Sequence, residues 1–144
     1  MNILVINAGS SSLKYQLIDV VTEKVLAKGL CERVGSRDSF HKHGVDKREV
    51  VIDTYLPNHT AAVDCVLDEL INGAQSPIDS VEDIDAVGHR VVQGGAYFDK
   101  SVAITPQVVD KIRELAELAP LHNMAALAGI EACTKLLPHA EQVA

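Results

Sequence analysis

The stretch Asn7-Ala8-Gly9-Ser10-Ser11-Ser12-Leu13-Lys14 lies between two apolar segments, residues 3–6 and residues 15–18. Segment 3–6 consists of four consecutive branched apolar residues, which predicts a strand covered on both faces. The alternation of apolar and polar residues in segment 15–18 predicts a second strand. The small polar residues between them are therefore predicted to form the turn of a β-hairpin.

The composition of this turn suits a phosphate group. Gly9 lets the backbone approach a ligand closely, the serine hydroxyls can donate hydrogen bonds, and Lys14 adds a positive charge. Asn7 offers a carbonyl oxygen of the kind that Mg²⁺ prefers. However, Gly and Ser also form turns that bind nothing, and the spacings of the P-loop and of G-x-G-x-x-G are absent. The turn by itself leaves both interpretations open.

Composition and charge restrict the class of protein. The chain has 144 residues, 47% hydrophobic and 23% charged, which is typical of one soluble globular domain. Its net charge of −7 argues against broad nucleic-acid binding and against docking on anionic lipid. Neither a signal peptide nor an apolar run of the ~20 residues that cross a bilayer is present. We expect no nucleic-acid partner and no membrane partner.

The cysteines indicate the cellular compartment. Cys31, Cys65 and Cys133 are odd in number and far apart, which predicts neither a disulfide framework nor a zinc site. A reducing, cytoplasmic location is expected.

Two further strands are predicted before the first helix. Residues 25–33 alternate as a third strand, and His41-Lys42-His43-Gly44 is predicted to be the exposed tip of a second hairpin that returns through residues 49–52. The His-x-His spacing could bind a metal, although no carboxylate or cysteine follows at a matching spacing.

Three helices are predicted. The first has Thr60 as its N-cap and ends at Asn72-Gly73. The second starts at Thr105-Pro106 and stops at Pro120, and the third is capped by Asn123 and runs from 124 to about 137. The predicted buried stripes are Val63, Val66, Leu67 and Leu70 in the first helix, and Val108, Ile112, Leu115 and Ala119 in the second. Residues 141–144 resemble the start of another strand, so the chain is expected to stop within a fold.

A charged pair interrupts the last apolar run. Residues 84–92 predict a strand that carries His89 and Arg90 before Gly94-Gly95. A buried arginine is costly unless it is paired, so Arg90 is predicted either to form an internal salt bridge or to face a cleft and grip a carboxylate or phosphoryl group. His122 has two interpretations as well: it lies at a helix entrance, where backbone N–H groups attract anions, or it is a simple turn residue.

Taken together, these stretches closely resemble the acetate and butyrate kinase family. Residues 7–15 resemble the first signature of that family, and residues 88–95 resemble the second. Residues 119–123 and 128–130 match a third region in the same order. The resemblance covers the whole chain but only the N-terminal portion of a family member. It implies that residues 1–144 are one lobe, truncated before the catalytic aspartate and the second lobe.

The resemblance implies a fold and an activity. The fold is an α/β lobe of the two-lobed sugar kinase, Hsp70 and actin type (ribonuclease H-like), with a mixed five-stranded sheet flanked by helices. The activity is reversible phosphoryl transfer from ATP to acetate, dependent on Mg²⁺ or Mn²⁺, with acetyl phosphate and ADP as products. Propionate or butyrate kinase is one alternative, and a truncated, non-catalytic nucleotide-binding module is another. The full-length protein is expected to be a homodimer through the missing lobe, and this fragment alone to be inactive.

The resemblance also implies site residues. Asn7 would help place Mg²⁺, and the nucleotide phosphates would be bound by Ser10, Ser12 and Lys14. The acid and the transferring group would be bound by Arg90, Val92, Leu121 and His122: Arg90 holds the carboxylate or phosphoryl group, Val92 and Leu121 line the methyl pocket, and His122 lies beside the transferring group.

Some positions depart from the family pattern. The family usually has His where Gln93 stands and Glu where Ala96 stands, and commonly Pro and Asn in place of Met124 and Ala126. These departures leave the acyl-chain preference open.

Overall fold

The computed structural model describes residues 1–90, 103–115 and 120–144. In these ranges the strands are β1 (Asn2–Ala8), β2 (Ser12–Asp19), β3 (Lys24–Glu32), β4 (Phe40–Val45), β5 (Arg48–Asp53), β6 (Ala86–His89) and β7 (Glu141–Val143). The helices are α1 (His59–Asn72), α2 (Pro106–Leu115) and α3 (Pro120–Leu136), with one 3₁₀ turn at Val81–Asp83. In the described ranges no helix is long and apolar enough to cross a bilayer.

The strands form one mixed sheet in the order β5-β4-β3-β2-β1-β6-β7. Strands β1 to β5 pair antiparallel in sequence, whereas β6 pairs parallel with β1 and β7 pairs parallel with β6. The predicted hairpin at the N-terminus and the predicted mixed sheet are confirmed. The expected number of five strands is wrong for the described residues, because the β4–β5 hairpin extends the sheet beyond β3.

The core lies on one face of the sheet. Along β1, Leu4, Ile6 and Ala8 are buried, whereas Val5 is 37% exposed. The prediction that this strand is covered on both faces is therefore wrong in the described part of the chain. The reason is that α1 and α3 pack against each other and against the face that carries Leu4 and Ile6. The alternation of side chains across a strand leaves Val5 on the opposite face.

The N-cap of helix α1 lies two residues before the predicted one. Asn58 is the N-cap: its backbone is extended, with φ −156°, and its side-chain oxygen accepts a hydrogen bond from the Ala61 N–H at 2.9 Å. Thr60 already lies inside the helix, so the prediction of Thr60 as the cap is wrong. The predicted stripe of buried residues is confirmed at Val63, Val66, Leu67 and Leu70.

Helix α3 also begins earlier than predicted, at Pro120 rather than Met124. Proline suits the first turn of a helix because its missing N–H would have no intrahelical partner. Asn123 consequently lies within the helix and is not its N-cap. It is buried, and its Nδ2 donates to the Ile112 carbonyl at 3.5 Å, which joins α3 to α2.

The two histidines of the predicted hairpin tip are buried. His41 and His43 lie in β4 with 0% and 5% exposure, and their nitrogens are 2.6 and 2.5 Å from the Tyr15 hydroxyl. Residues two apart in a strand share a face, and here that face is the core. The prediction of an exposed tip is wrong, because β4 continues to Val45 before the chain reverses towards Arg48.

The same cluster bears on the His-x-His metal interpretation. Cys65 Sγ lies 3.3 Å from His41 Nδ1, but the Tyr15 hydroxyl lies against both imidazoles. Among the described residues, no group of three or more His, Cys, Asp or Glu side chains is placed to hold a metal ion. The three cysteines are free thiols, and burial raises the pKa of Cys31 and Cys133 to about 12.

Candidate active site

The turn between β1 and β2 is held by bonds to its own carbonyl groups. The Gly9 N–H donates to the Ser12 carbonyl at 2.9 Å, and the Ser11 carbonyl accepts from the Val34 N–H at 2.9 Å. The Gly9 carbonyl accepts from His59 Nε2 at 2.7 Å. These partially negative oxygens therefore accept hydrogen bonds from donors within the protein. The exposed backbone and hydroxyl of Ser10 are left on the outer side of the turn.

The side chain of Ser12 lies close to the backbone of Gly9. A Cβ added to Gly9 would lie 2.5 Å from Ser12 Oγ, closer than real Cβ contacts allow. The hydroxyl of Ser12 thus lies directly over the Gly9 backbone. The close approach of the Gly9 backbone to a phosphate ligand stays a prediction.

The register of the sheet brings Arg90 beside this turn. In the parallel pairing of β1 and β6, Ile6 is opposite His89, and the Arg90 N–H donates to the Ile6 carbonyl at 3.1 Å. Arg90 therefore follows β6 at the level of Asn7, the last residue but one of β1. On the other side, Asn7 is opposite Lys14 of β2. Residues opposite one another in neighbouring strands share a face, so this register groups Asn7, Lys14 and Arg90 on one face of the sheet.

The side chain of Arg90 is exposed. Among residues 1–90, 103–115 and 120–144, no carboxylate lies within 4.0 Å of its guanidinium. Arg33 and Arg113, in contrast, each have a carboxylate partner within that distance. The internal salt bridge that was one interpretation of Arg90 has no partner in these ranges, which favours the interpretation of an arginine that faces a cleft.

His89, the neighbour of Arg90, faces the core instead. It is 7% exposed, and its Nε2 lies 2.6 Å from Gln142 Oε1, so the imidazole N–H donates to this oxygen. Burial lowers the pKa of His89, whereas the hydrogen bond to Gln142 opposes this effect. Two adjacent polar residues in one apolar run thus have different environments, because a strand alternates its side chains.

Several predicted site residues lie outside the described part. Val92 is among them, as are Gln93, Gly94-Gly95 and Ala96. Leu121 and His122 belong to the first turn of α3, but their side chains are not described. The roles expected for Val92, Leu121 and His122 therefore stay predictions.

His59 is a further residue at the turn that was not predicted from the sequence. It is the first residue of α1, and it contacts the turn through the hydrogen bond to the Gly9 carbonyl. Fifty positions separate the two residues in the chain, and a histidine after an asparagine cap has no distinctive spacing. No sequence signal short of the fold itself connects His59 to the turn.

The donors at this edge of the sheet fit a magnesium ion that is bound mainly by ligand oxygens. Asn7 contributes one half-buried amide side chain, and the described residues contain no cluster of metal-binding side chains. Mg²⁺ characteristically keeps several waters and binds one or two protein oxygens together with phosphates of the substrate. A single amide oxygen beside the hydroxyl-rich turn agrees with that mode, and a cage built only of protein ligands does not.

The mixed sheet, the helices on one of its faces and the hydroxyl-rich turn beside Arg90 define an α/β domain of the actin-like class. Comparison with known families makes this more specific, because the model of the acetokinase family matches residues 2–144. The chain belongs to the acetokinase family.

Individual relatives agree with this assignment. The acetate kinase of Desulfitobacterium hafniense is 52% identical over 100% of this chain and 36% of its own length. The crystal structure of Porphyromonas gingivalis acetate kinase superposes with a TM-score of 0.95 at 46% identity, covering 99% of this chain and 36% of that one. The crystal structure of a propionate kinase from Francisella tularensis superposes with a TM-score of 0.88 at 35% identity, covering 99% of this chain and 35% of that one. The chain thus spans about a third of the length of the proteins it matches.

Proposed function

We propose that the protein containing this chain is an acetate kinase, which transfers a phosphoryl group between ATP and acetate with Mg²⁺ or Mn²⁺. The observation that carries the proposal is the grouping of Asn7, Lys14 and Arg90 beside the Gly9–Ser12 turn. The names of the Desulfitobacterium and Porphyromonas relatives support the choice of acetate.

The chemistry explains why these residue types are needed. A carboxylate that attacks the γ-phosphate of ATP brings two anions together, so the protein must align them and neutralise their charge. In this proposal Ser10, Ser12 and Lys14 bind nucleotide phosphates by hydrogen bonds and charge. Arg90 binds the acetate carboxylate or the transferring phosphoryl group, for which its planar fork of donors is suited.

The remaining roles complete the proposal. Asn7 would hold the Mg²⁺, which supplies charge neutralisation for the phosphate oxygens when it is bound. Val92 and Leu121 would line the pocket of the acetate methyl group, and His122 would lie beside the transferring group. The catalytic machinery as a whole exceeds this chain, so the isolated 144 residues are proposed to be inactive.

Cellular context follows from the same family membership. We infer a cytoplasmic location, because acetate and ATP are cytoplasmic metabolites and the thiols of Cys31, Cys65 and Cys133 are free. The full-length protein is proposed to be a homodimer through a portion beyond this chain.

Propionate is the second candidate substrate. The structural match to a propionate kinase favours it, although at lower identity than the acetate kinase match. The positions where this chain departs from the family pattern, Gln93, Ala96, Met124 and Ala126, are consistent with either acid.

A direct assay tests both candidates. The full-length gene product is incubated with ATP, Mg²⁺ and acetate, propionate or butyrate, and the acyl phosphate is trapped as its hydroxamate. We expect the highest kcat/KM with acetate. A higher kcat/KM with propionate or butyrate would change the substrate, and no hydroxamate with any acid would refute the kinase proposal. The isolated chain serves as the negative control.

A further inference from the structure

The contact between His59 and the phosphate turn carries an inference about how the turn works. His59 Nε2 lies 2.7 Å from the Gly9 carbonyl oxygen, and His59 is half-buried at the start of α1. The oxygen can only accept, so the imidazole carries its hydrogen on Nε2. Because Asn58 caps α1 and the face of α1 is packed in the core, this donor is fixed relative to the sheet.

The direction of the Gly9 carbonyl fixes the direction of the next N–H group. Gly9 C=O and Ser10 N–H belong to one planar trans peptide unit, in which the two groups point in opposite directions. With the carbonyl directed at His59, the Ser10 N–H is directed away from His59. Within residues 1–90, 103–115 and 120–144, no protein acceptor is found for the Ser10 N–H. It is thus available to an external acceptor.

The other bonds of the turn do not fix this peptide. The Gly9 N–H and the Ser12 carbonyl close the turn, and Val34 holds the Ser11 carbonyl. The Gly9 N–H belongs to the Ala8–Gly9 peptide unit and the Ser11 carbonyl to the Ser11–Ser12 unit, so neither bond fixes the orientation of the Gly9–Ser10 unit. Rotation of that one unit would exchange an N–H donor for a carbonyl oxygen on the outer side of the turn. A carbonyl there would repel a phosphate, whereas an N–H group would bind it.

We propose that His59 is a positioning residue for nucleotide binding, which holds the Gly9 carbonyl so that the Ser10 N–H donates to a phosphate oxygen of ATP. The inference rests on the proposed function, in which this turn binds nucleotide phosphates. His59 itself does not touch the nucleotide in this proposal. Its contribution is to the orientation of one peptide unit.

Two substitutions separate positioning from simple packing. His59→Gln keeps an N–H donor at a similar distance from the backbone, whereas His59→Leu keeps the bulk and removes the donor. In the full-length enzyme we expect His59→Leu to raise the KM for ATP by about tenfold to a hundredfold, the usual effect of losing a supporting hydrogen bond. We expect the KM for acetate to stay within about twofold and His59→Gln to recover most of the loss.

A neighbouring variant provides the matched control. Thr60→Ala changes the next residue of α1, which has no described contact with the turn, and should leave the KM for ATP unchanged. If the role of His59 is purely structural, both His59 variants should unfold at a lower temperature and lose activity to the same extent. The KM for ATP and the KM for acetate would then change together. Equal effects of His59→Leu and His59→Gln, or an unchanged KM for ATP in His59→Leu, would overturn the inference.

A second measurement does not depend on kinase activity. In the full-length protein labelled with ¹⁵N at its serines, ADP should shift the amide resonance of Ser10 in the wild type and in His59→Gln, and not in His59→Leu. If the full-length protein makes no acyl phosphate but this pattern is seen, the proposed function fails and the inference stands. If ADP leaves the Ser10 amide unmoved in the wild type, or moves it equally in His59→Leu, the inference fails.

Discussion

Arg90 illustrates how a single residue acquires its setting from the register of the sheet. Its backbone continues the β1–β6 pairing, so this exposed residue lies at the level of Asn7 and next to the Gly9–Ser12 turn. An arginine in this position can neutralise the charge that develops when two anions react. Its contribution to the proposed reaction can be measured directly.

Replacement of Arg90 by alanine should reduce kcat of the full-length enzyme by ~10³ or more, by analogy with arginine fingers in phosphoryl transfer. The matched control is Arg113→Ala. Arg113 lies on the surface of α2, where it pairs with Glu131 at 2.9 Å. That variant should retain the wild-type rate in the hydroxamate assay. A near-normal rate for Arg90→Ala would exclude a role in stabilising the transition state.

At the scale of secondary-structure elements, a buried polar cluster joins three parts of the fold. Tyr15 of β2 contacts both histidines of β4, and Cys65 of α1 contacts one of them. Strand β3 runs between β2 and β4, and Gly29 leaves the space that the Tyr15 side chain crosses. The Tyr15 hydroxyl has one hydrogen, so it donates to one imidazole and accepts from the other.

Gly29→Ala should therefore destabilise the chain. Its Cβ would collide with the Tyr15 hydroxyl and with the Lys42 carbonyl. We expect a loss of about 1–3 kcal/mol in the free energy of unfolding, the usual cost of overpacking.

Urea denaturation measures this loss, and Gly44→Ala provides the control. A Cβ at Gly44 would make only ordinary contacts of 3.5 and 3.6 Å. Equal stability of the two variants would contradict the proposed crossing of Tyr15 over Gly29.

The same scale shows what the sequence could predict. Local periodicity was sufficient for the β1–β2 hairpin and for the buried stripe of α1, because both depend on residues close in the chain. It failed for His41 and His43, because their polarity predicted exposure to solvent. The hydroxyl that forms hydrogen bonds with them in the core belongs to Tyr15, which lies in another strand. It also failed for the cap of α1, where Asn58 and Thr60 are both capable and only the backbone conformation decides.

The candidate site was predictable only in part for a related reason. The turn is local, so its residues could be chosen from one stretch of sequence. The position of Arg90 beside it depends on a parallel pairing over more than 80 residues, and that of His59 depends on the packing of α1. Neither long-range relation leaves a pattern in the sequence, although the family resemblance pointed to Arg90.

For the molecule as a whole, charge is distributed unevenly. The chain carries a net charge of −7, yet a shallow cleft of about 610 Å³ beside Asn7 is lined by more basic than acidic side chains. The basic ones are Lys14, Lys28, Lys42, Lys47 and Arg48, and the acidic ones are Asp46 and Glu49, of which Glu49 pairs with Lys42 at 3.1 Å. A few local cations are therefore compatible with an acidic protein. This distribution disfavours extended polyanions such as nucleic acid and permits small anions beside the turn.

Global stability should decrease in mild acid because of His41. Its surroundings are Tyr15, His43 and Cys65, and burial, together with the nearby His43, lowers the pKa of His41 from 6.5 to about 4. Between pH 6.5 and about pH 4, His41 is therefore protonated in the unfolded chain and neutral in the folded chain. Stability is complete above pH 6.5 and should fall by about 3 kcal/mol as the pH decreases towards 4.

Urea denaturation at several pH values between 7 and 4 measures this dependence. His41→Asn removes the titrating group, so its free energy of unfolding should change less steeply with pH, whatever the substitution costs at pH 7. Burial also lowers the pKa of His43, which adds a loss in the same direction. An identical slope in wild type and His41→Asn would show that His41 is not the group responsible.

The central place of β1 has a consequence for biosynthesis. Among the described strands, β1 is translated first. Strand β2 can pair with it within a few residues, but its other neighbour, β6, is translated about 80 residues later. Contacts between such distant segments form slowly, because the entropy of closing a long loop is lost before the contacts can stabilise the chain. The nascent chain must therefore carry a half-paired central strand until β6 is translated, and the edge of the sheet beside the Gly9–Ser12 turn is completed only when Arg90 emerges.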